Sequence, residues 1–115
     1  MSNVAPSKDP NNIEPYFFVW CDKKTGVNTG AVTDNGELQG ETIATFTITP
    51  DSGITVDSSN KDAVTIRGIS YSANTVVTVW LSGGTDGEDY SILCRIVTSG
   101  SRTLDKTMVV PVRAN

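Results

Sequence analysis

From Tyr90 to Val97 the chain alternates: Tyr90, Ile92, Cys94 and Ile96 fall on one side, with Ser91, Leu93, Arg95 and Val97 opposite. A period of two is that of a strand with one face on a core. The same pattern sets Ala44, Phe46 and Ile48 against Thr45, Thr47 and Thr49, stopped by Pro50. It sets Val77, Val79 and Leu81 against Val76, Thr78 and Trp80, closed by Ser82-Gly83-Gly84. Shorter runs are Ile54 with Val56 after Asp51-Ser52-Gly53, and Val64 with Ile66, ending near Gly68-Ile69. A last strand runs from about Leu104 through Met108, Val110 and Val112. No window carries a 3.6-residue period. With the aromatic run Tyr16–Cys21 this makes seven strands separated by turn residues, and predicts an all-β, two-sheet sandwich.

Tyr16-Phe17-Phe18-Val19-Trp20-Cys21 is apolar on both faces. A half-exposed strand would alternate with polar residues, so its second face needs a cover: the arm before it, the loop after it, or another subunit. Residues 1–14 carry Pro6, Pro10 and the Asn11-Asn12 pair and read as an extended N-terminal arm without a strand, leaving 15–115 as the domain. From Asp22 to Gly40 the chain is polar and glycine-rich. Its Asn35-Gly36 step favours a type I′ turn, with a small hairpin through Val32 and Leu38. A loop of this length is usually functional or held by outside contacts. In Asp86-Gly87-Glu88-Asp89-Tyr90, Gly87 supplies a turn and Tyr90 opens the penultimate strand. A tyrosine corner sits there in Ig-like sandwiches, its hydroxyl bonded to nearby backbone. The expectation is a seven-stranded Ig-like β-sandwich with Tyr90 and Gly87 as structural residues and no antibody-type disulfide.

Composition narrows the chemistry. The 115 residues amount to one domain, with hydrophobic residues at 37% and charged residues at 19%. A net charge of −4 with no basic stripe repels a phosphate backbone, so nucleic acid is not an expected partner. No apolar stretch reaches the length of a membrane span or a signal peptide, which predicts synthesis and retention in a cytoplasm unless a particle carries the protein out. Histidine is absent, which removes Ser-His-Asp and Cys-His catalysis. Cys94 is inward-facing mid-strand, where burial makes a thiol inert, and Cys21 and Cys94 read as reduced thiols, with a disulfide between them as the alternative. Gly83-Gly84-Thr85-Asp86-Gly87 lacks the lysine of a phosphate loop. Asp86, Glu88 and Asp89 supply carboxylates for calcium or, more simply, turn chemistry; no metal or cofactor is expected. The chain therefore reads as a binding module and not an enzyme.

Thr78-Val79-Trp80-Leu81-Ser82-Gly83-Gly84-Thr85-Asp86-Gly87-Glu88-Asp89-Tyr90 resembles a hallmark of small tailed-bacteriophage structural proteins, V-W-L-S-G-G-T-x-G-x-x-Y. In those proteins a strand and a Thr-rich turn with Gly and Arg follow; here that turn is Thr98-Ser99-Gly100-Ser101-Arg102-Thr103. The opening Lys8-Asp9-Pro10, the aromatic strand with Tyr16 and Trp20, and Glu41-Thr42-Ile43-Ala44-Thr45 also look like theirs. Asp22–Gly40 looks longer than the family's usual link, and Arg102 follows a Ser rather than the Gly. The resemblance implies a virion structural module, of the fibre-tail adaptor or head-decoration (cement) type. Its partners would be major capsid, connector or tail subunits, and it would be homo-oligomeric or multi-copy in the particle. Lys8, Asp9, Pro10, Tyr16, Phe17, Trp20 and Trp80 are the expected partner-binding residues. A carbohydrate-binding or host-adhesion domain using Trp80 or the Asp86–Asp89 turn is the alternative.

Overall fold

The structure, a computed structural model, describes residues 2–4 in their backbone and residues 6–114 throughout. Met1, Ala5 and Asn115, which the expected arm and domain include, lie outside the described residues. Nine strands form among them: β1 (Ser2–Val4), β2 (Glu14–Val19), β3 (Ile43–Pro50), β4 (Ile54–Asn60), β5 (Val64–Ile66), β6 (Ile69–Tyr71), β7 (Val76–Gly83), β8 (Asp89–Thr98) and β9 (Thr103–Pro111). One sheet has the order β1-β9-β8-β3, a second β2-β7-β4, and β5-β6 is a separate hairpin. The inward residues of both large sheets meet in one cluster. Tyr16, Phe18, Trp20, Val77, Val79 and Leu81 come from the second sheet and its flank, and Ile92, Cys94, Ile96, Met108 and Val110 from the first. The alternation of β8 sends Tyr90, Ile92, Cys94 and Ile96 into this core as the sequence pattern demands.

Four expectations are corrected. The arm is not strand-free: Ser2–Val4 pairs in parallel with Thr107–Val109 of β9. A second parallel bridge joins Lys8 to Val112, with Lys8 N–H donating to the Pro111 carbonyl and Arg113 N–H to the Lys8 carbonyl, both at 2.8 Å. The run expected to end near Gly68-Ile69 instead turns back as β6. Arg67 and Gly68, at φ 51° and 83°, supply the two left-handed residues of a I′ turn. In β3 the pairing with β8 shifts between Ile43 and Thr45, so Ile43 enters the core and Ala44 is exposed. One extra residue inverts the face of everything before it.

The fourth concerns residues 22–42, where no strand or Asn35-Gly36 hairpin forms. Two buried carboxylates organise this loop instead. Asp34 accepts from the N–H groups of Thr29 and Gly30 at 3.0 Å and Gly36 at 2.9 Å. Asp22 accepts from Lys24 at 2.9 Å and Asn35 at 3.3 Å. Gly36 serves close packing rather than a positive φ: a Cβ there would lie 2.4 Å from the Cys21 carbonyl carbon. Val32 is fully exposed, whereas Leu38 is fully buried in the same cluster as Trp20. The family-like turn clamps this loop, because Arg102 pairs with Glu41 at 2.8 Å and donates to the Glu37 and Leu38 carbonyls.

Candidate binding surface

The doubly apolar β2 explains where a binding surface lies. Tyr16 and Phe18 point into the core, as does Trp20 just beyond the strand. Phe17, Val19 and Cys21 point the other way and join Tyr71, Val76, Val64, Ile66 and Ile69 in a second apolar cluster. The cover of that face is the β5-β6 hairpin, a part of the chain that was not among the three covers expected. The hairpin does not seal it. A groove of about 600 Å³ remains beside β2, lined by Phe17 and Val19 of the strand, Pro6 and Ser7 of the arm, and Ile66 and Ile69 of the hairpin. Lys23, Arg67 and Glu14 are its charged lining residues. Tyr16, whose hydroxyl donates to the Pro6 carbonyl at 3.2 Å, ties the arm to the groove wall; burial pushes its pKa to about 12.

The residues singled out from sequence are scattered. Lys8 is completely buried, its ammonium donating to the Gly83 carbonyl at 2.9 Å and the Asp9 carbonyl at 2.8 Å. Asp9 and Pro10 are half-buried beside it. Tyr16 and Phe17 line the groove. Trp20 is 1% exposed and lies under Lys106, whose ammonium stands 4.6 Å from the ring centroid. That ammonium also donates to the Val19 carbonyl at 2.8 Å and pairs with Glu37 at 3.1 Å. Burial lowers the Lys106 pKa and Glu37 opposes the shift. Trp80 is 38% exposed on the outer face of β7, between Pro15 of β2 and Ser58 of β4. The structure thus joins Tyr16 and Phe17 to a surface, leaves Trp80 further along the same sheet, and encloses Lys8 and Trp20. Ile66, Ile69, Lys23 and Arg67 were missed as groove residues. The signal that could have found them is Gly68, which stands between two short apolar runs as a hairpin turn requires.

Elsewhere the chemistry is structural. Tyr90 Oη accepts from Thr85 N–H at 2.9 Å, and its ring packs against Gly53 and Gly84. Gly87 has φ 89° and donates to the Val112 carbonyl at 2.8 Å. The acidic turn is used internally: Asp86 accepts from Ala114 N–H, and Asp89 pairs with Arg113, both at 3.0 Å. No three acidic or cysteine side chains gather as metal ligands among the described residues. Cys21 and Cys94 are buried free thiols, and burial raises the Cys94 pKa to about 12.

This all-β module thus spends most of its polar side chains on its own loops and carries an apolar groove beside β2. The family described as podophage GP4 fiber-tail adaptor protein gp77 matches residues 31–111, more than half of the chain, and the chain belongs to that family of phage structural proteins. The match runs from within the long loop through β9 and leaves the arm and β2 outside it. No curated protein and no solved structure matches the chain.

Proposed function

We propose that this protein is a multi-copy Ig-like adaptor in a podophage particle, seated between tail and fibre proteins and acting through protein contacts alone. The observation that carries this is the family match over 31–111. The Ig-like assignment is supported by strand order: β2-β7-β4 opposes β9-β8-β3, an arrangement equivalent to B-E-D facing G-F-C, with the arm strand parallel to the last strand. Tyr90 at the start of β8, bonded back to Thr85, supports it further. The contacts fall to the exposed and half-buried members of the expected set, Asp9, Pro10, Phe17 and Trp80, together with the groove. The arm and the β2 edge act as one surface, since Tyr16 joins them. Buried apolar area at such faces contributes roughly 25 cal/mol per Å² before association costs are subtracted, and multiple copies add avidity.

The test is electron microscopy of particles carrying a labelled copy, counting labels and locating them. A small ring of labels at the tail where fibres attach supports the adaptor. Labels spread over the head would replace it with a cement role. Unlabelled particles, together with glycan binding lost in Trp80→Ala, would put a host-adhesion domain in its place.

A further inference from the structure

The edge of β2 has a hydrogen-bonding inventory that its own fold leaves open. Among the described residues, β2 has β7 on one side and no strand on the other. Trp20 N–H donates to the Thr75 carbonyl at 3.0 Å, which fixes the phase of this antiparallel pair. Counting back along the register, Phe18 and Tyr16 turn their backbone groups to β7, while Val19, Phe17 and Pro15 turn theirs outward. Of these, the Val19 carbonyl is capped by Lys106, and Pro15 has no N–H to give. What remains is the N–H of Phe17 and Val19 and the carbonyls of Pro15 and Phe17: two donors and two acceptors in one short run.

Free edges are a hazard that proteins blunt with proline, lysine or bulges. Here Pro15 and Lys106 blunt the two ends, while the middle is left open and faces the apolar groove. Such an edge is what an added strand requires, with main-chain bonds for affinity and a pocket for alternate side chains. We propose that β2 accepts one extended segment of a neighbouring fibre or tail protein as an additional strand. An apolar side chain would enter the groove and an acidic residue would lie beside Lys23 and Arg67. The proposal rests on the adaptor function above.

Two observations select this occupant. Arm and hairpin residues line the groove beside this edge, so a second copy would bring its own arm and hairpin against them before the strands reached the roughly 4.8 Å spacing of a sheet. A single extended segment carries no such flanking elements. Lys23 and Arg67 are also without an ion-pair partner among the described residues, on a chain of net charge −4. An acidic guest complements these two cations of the groove lining.

The experiment compares amide hydrogen exchange of the full-length protein free and in purified particles, with fragmentation that resolves single residues. Phe18 and Trp20, bonded to β7, serve as internal references. The amides of Phe17 and Val19 are expected to exchange at least about tenfold more slowly in the particle than in the free protein. A photo-crosslinking residue placed at Ile69 should then join the protein to an acidic, extended segment of another virion protein. The double variant Lys23→Glu/Arg67→Glu should melt as the parent does yet enter particles about tenfold less efficiently. Unchanged exchange at Phe17 and Val19 in particles that contain the protein would overturn the strand addition while leaving the adaptor function standing. Crosslinks to another copy of this chain, or protection that rises with concentration of the free protein, would overturn the choice of occupant. Absence of the protein from particles would refute the adaptor function itself, and the strand addition with it.

Discussion

Gly36 offers a direct test of how the long loop is held. A Cβ at this position would lie 2.4 Å from the Cys21 carbonyl carbon and 2.6 Å from both Cys21 Cα and Asp22 N, distances at which backbone must move. All three atoms belong to the end of β2's extension, fixed by the Trp20–Thr75 bond, so the loop must shift instead. Two residues on, Leu38 is fully buried and its N–H donates to the Trp20 carbonyl at 3.1 Å. Overpacking at such a site costs about 1–3 kcal/mol, and partial release of Leu38 adds up to about 1.5 kcal/mol of lost burial. Gly36→Ala is therefore expected to cost about 3 kcal/mol. With roughly 2.1 cal/mol/K of unfolding entropy per residue over 115 residues, that lowers the melting midpoint by about 12 °C. The control is Gly68→Ala, where φ is +83° but nothing lies within 4 Å, so only backbone strain of about 1 kcal/mol applies. Urea unfolding of both variants and the parent, read by tryptophan fluorescence, measures the difference. If Gly36→Ala were no less stable than Gly68→Ala, close packing of the loop on Cys21 and Asp22 would be refuted.

Three further outcomes are expected. Tyr90→Phe removes the bond from Thr85 N–H and should cost about 1 kcal/mol, or about 4 °C, without changing the fold, as calorimetry would show; no change would mean the hydroxyl is not a clasp. Asp34, Asp22 and Glu41 all have lowered pKa values, held down chiefly by the backbone N–H of Gly30, the backbone N–H of Lys24 and the Thr98 hydroxyl respectively. Their stabilisation is thus complete above the unfolded carboxylate pKa of about 4 and lost as pH falls through the lowered folded values, so the urea midpoint should drop in that acid range and drop less steeply in Asp34→Asn. Neither Cys21 nor Cys94 should react with a thiol reagent at pH 8 before unfolding, because both are buried and their thiolates disfavoured; a fast native-state phase would contradict this.

What the sequence revealed depended on whether a signal was local. The Tyr90–Ile96 alternation is a property of one strand against one core and carried over residue by residue. The two-faced run at Tyr16–Cys21 announced that something must cover it, but the cover is a hairpin about fifty residues away, and no local pattern names it. Asn35-Gly36 has the composition of a turn, yet glycine also permits close approach, and only the packing against Cys21 decides between the two uses. Ala44 was misplaced because a bulge leaves no mark on an alternating run. Lys8 illustrates the hardest case. A lysine in a polar, proline-rich arm has every appearance of a solvated residue, and its burial depends on the Gly83 carbonyl, 75 residues further along.

The pairing of the first strand with the last has a mechanical consequence. β1 and β9 are parallel, so tension applied between residue 2 and the end of β9 pulls the two strands past one another along their length. Every bond in that pair is then loaded together in shear, instead of opening one at a time like a zip. The Lys8–Val112 bridge and the Lys8 ammonium on Gly83 stand in series behind it as a second catch. Were the proposed adaptor to carry load between these two strands, their pairing would have the geometry that resists it.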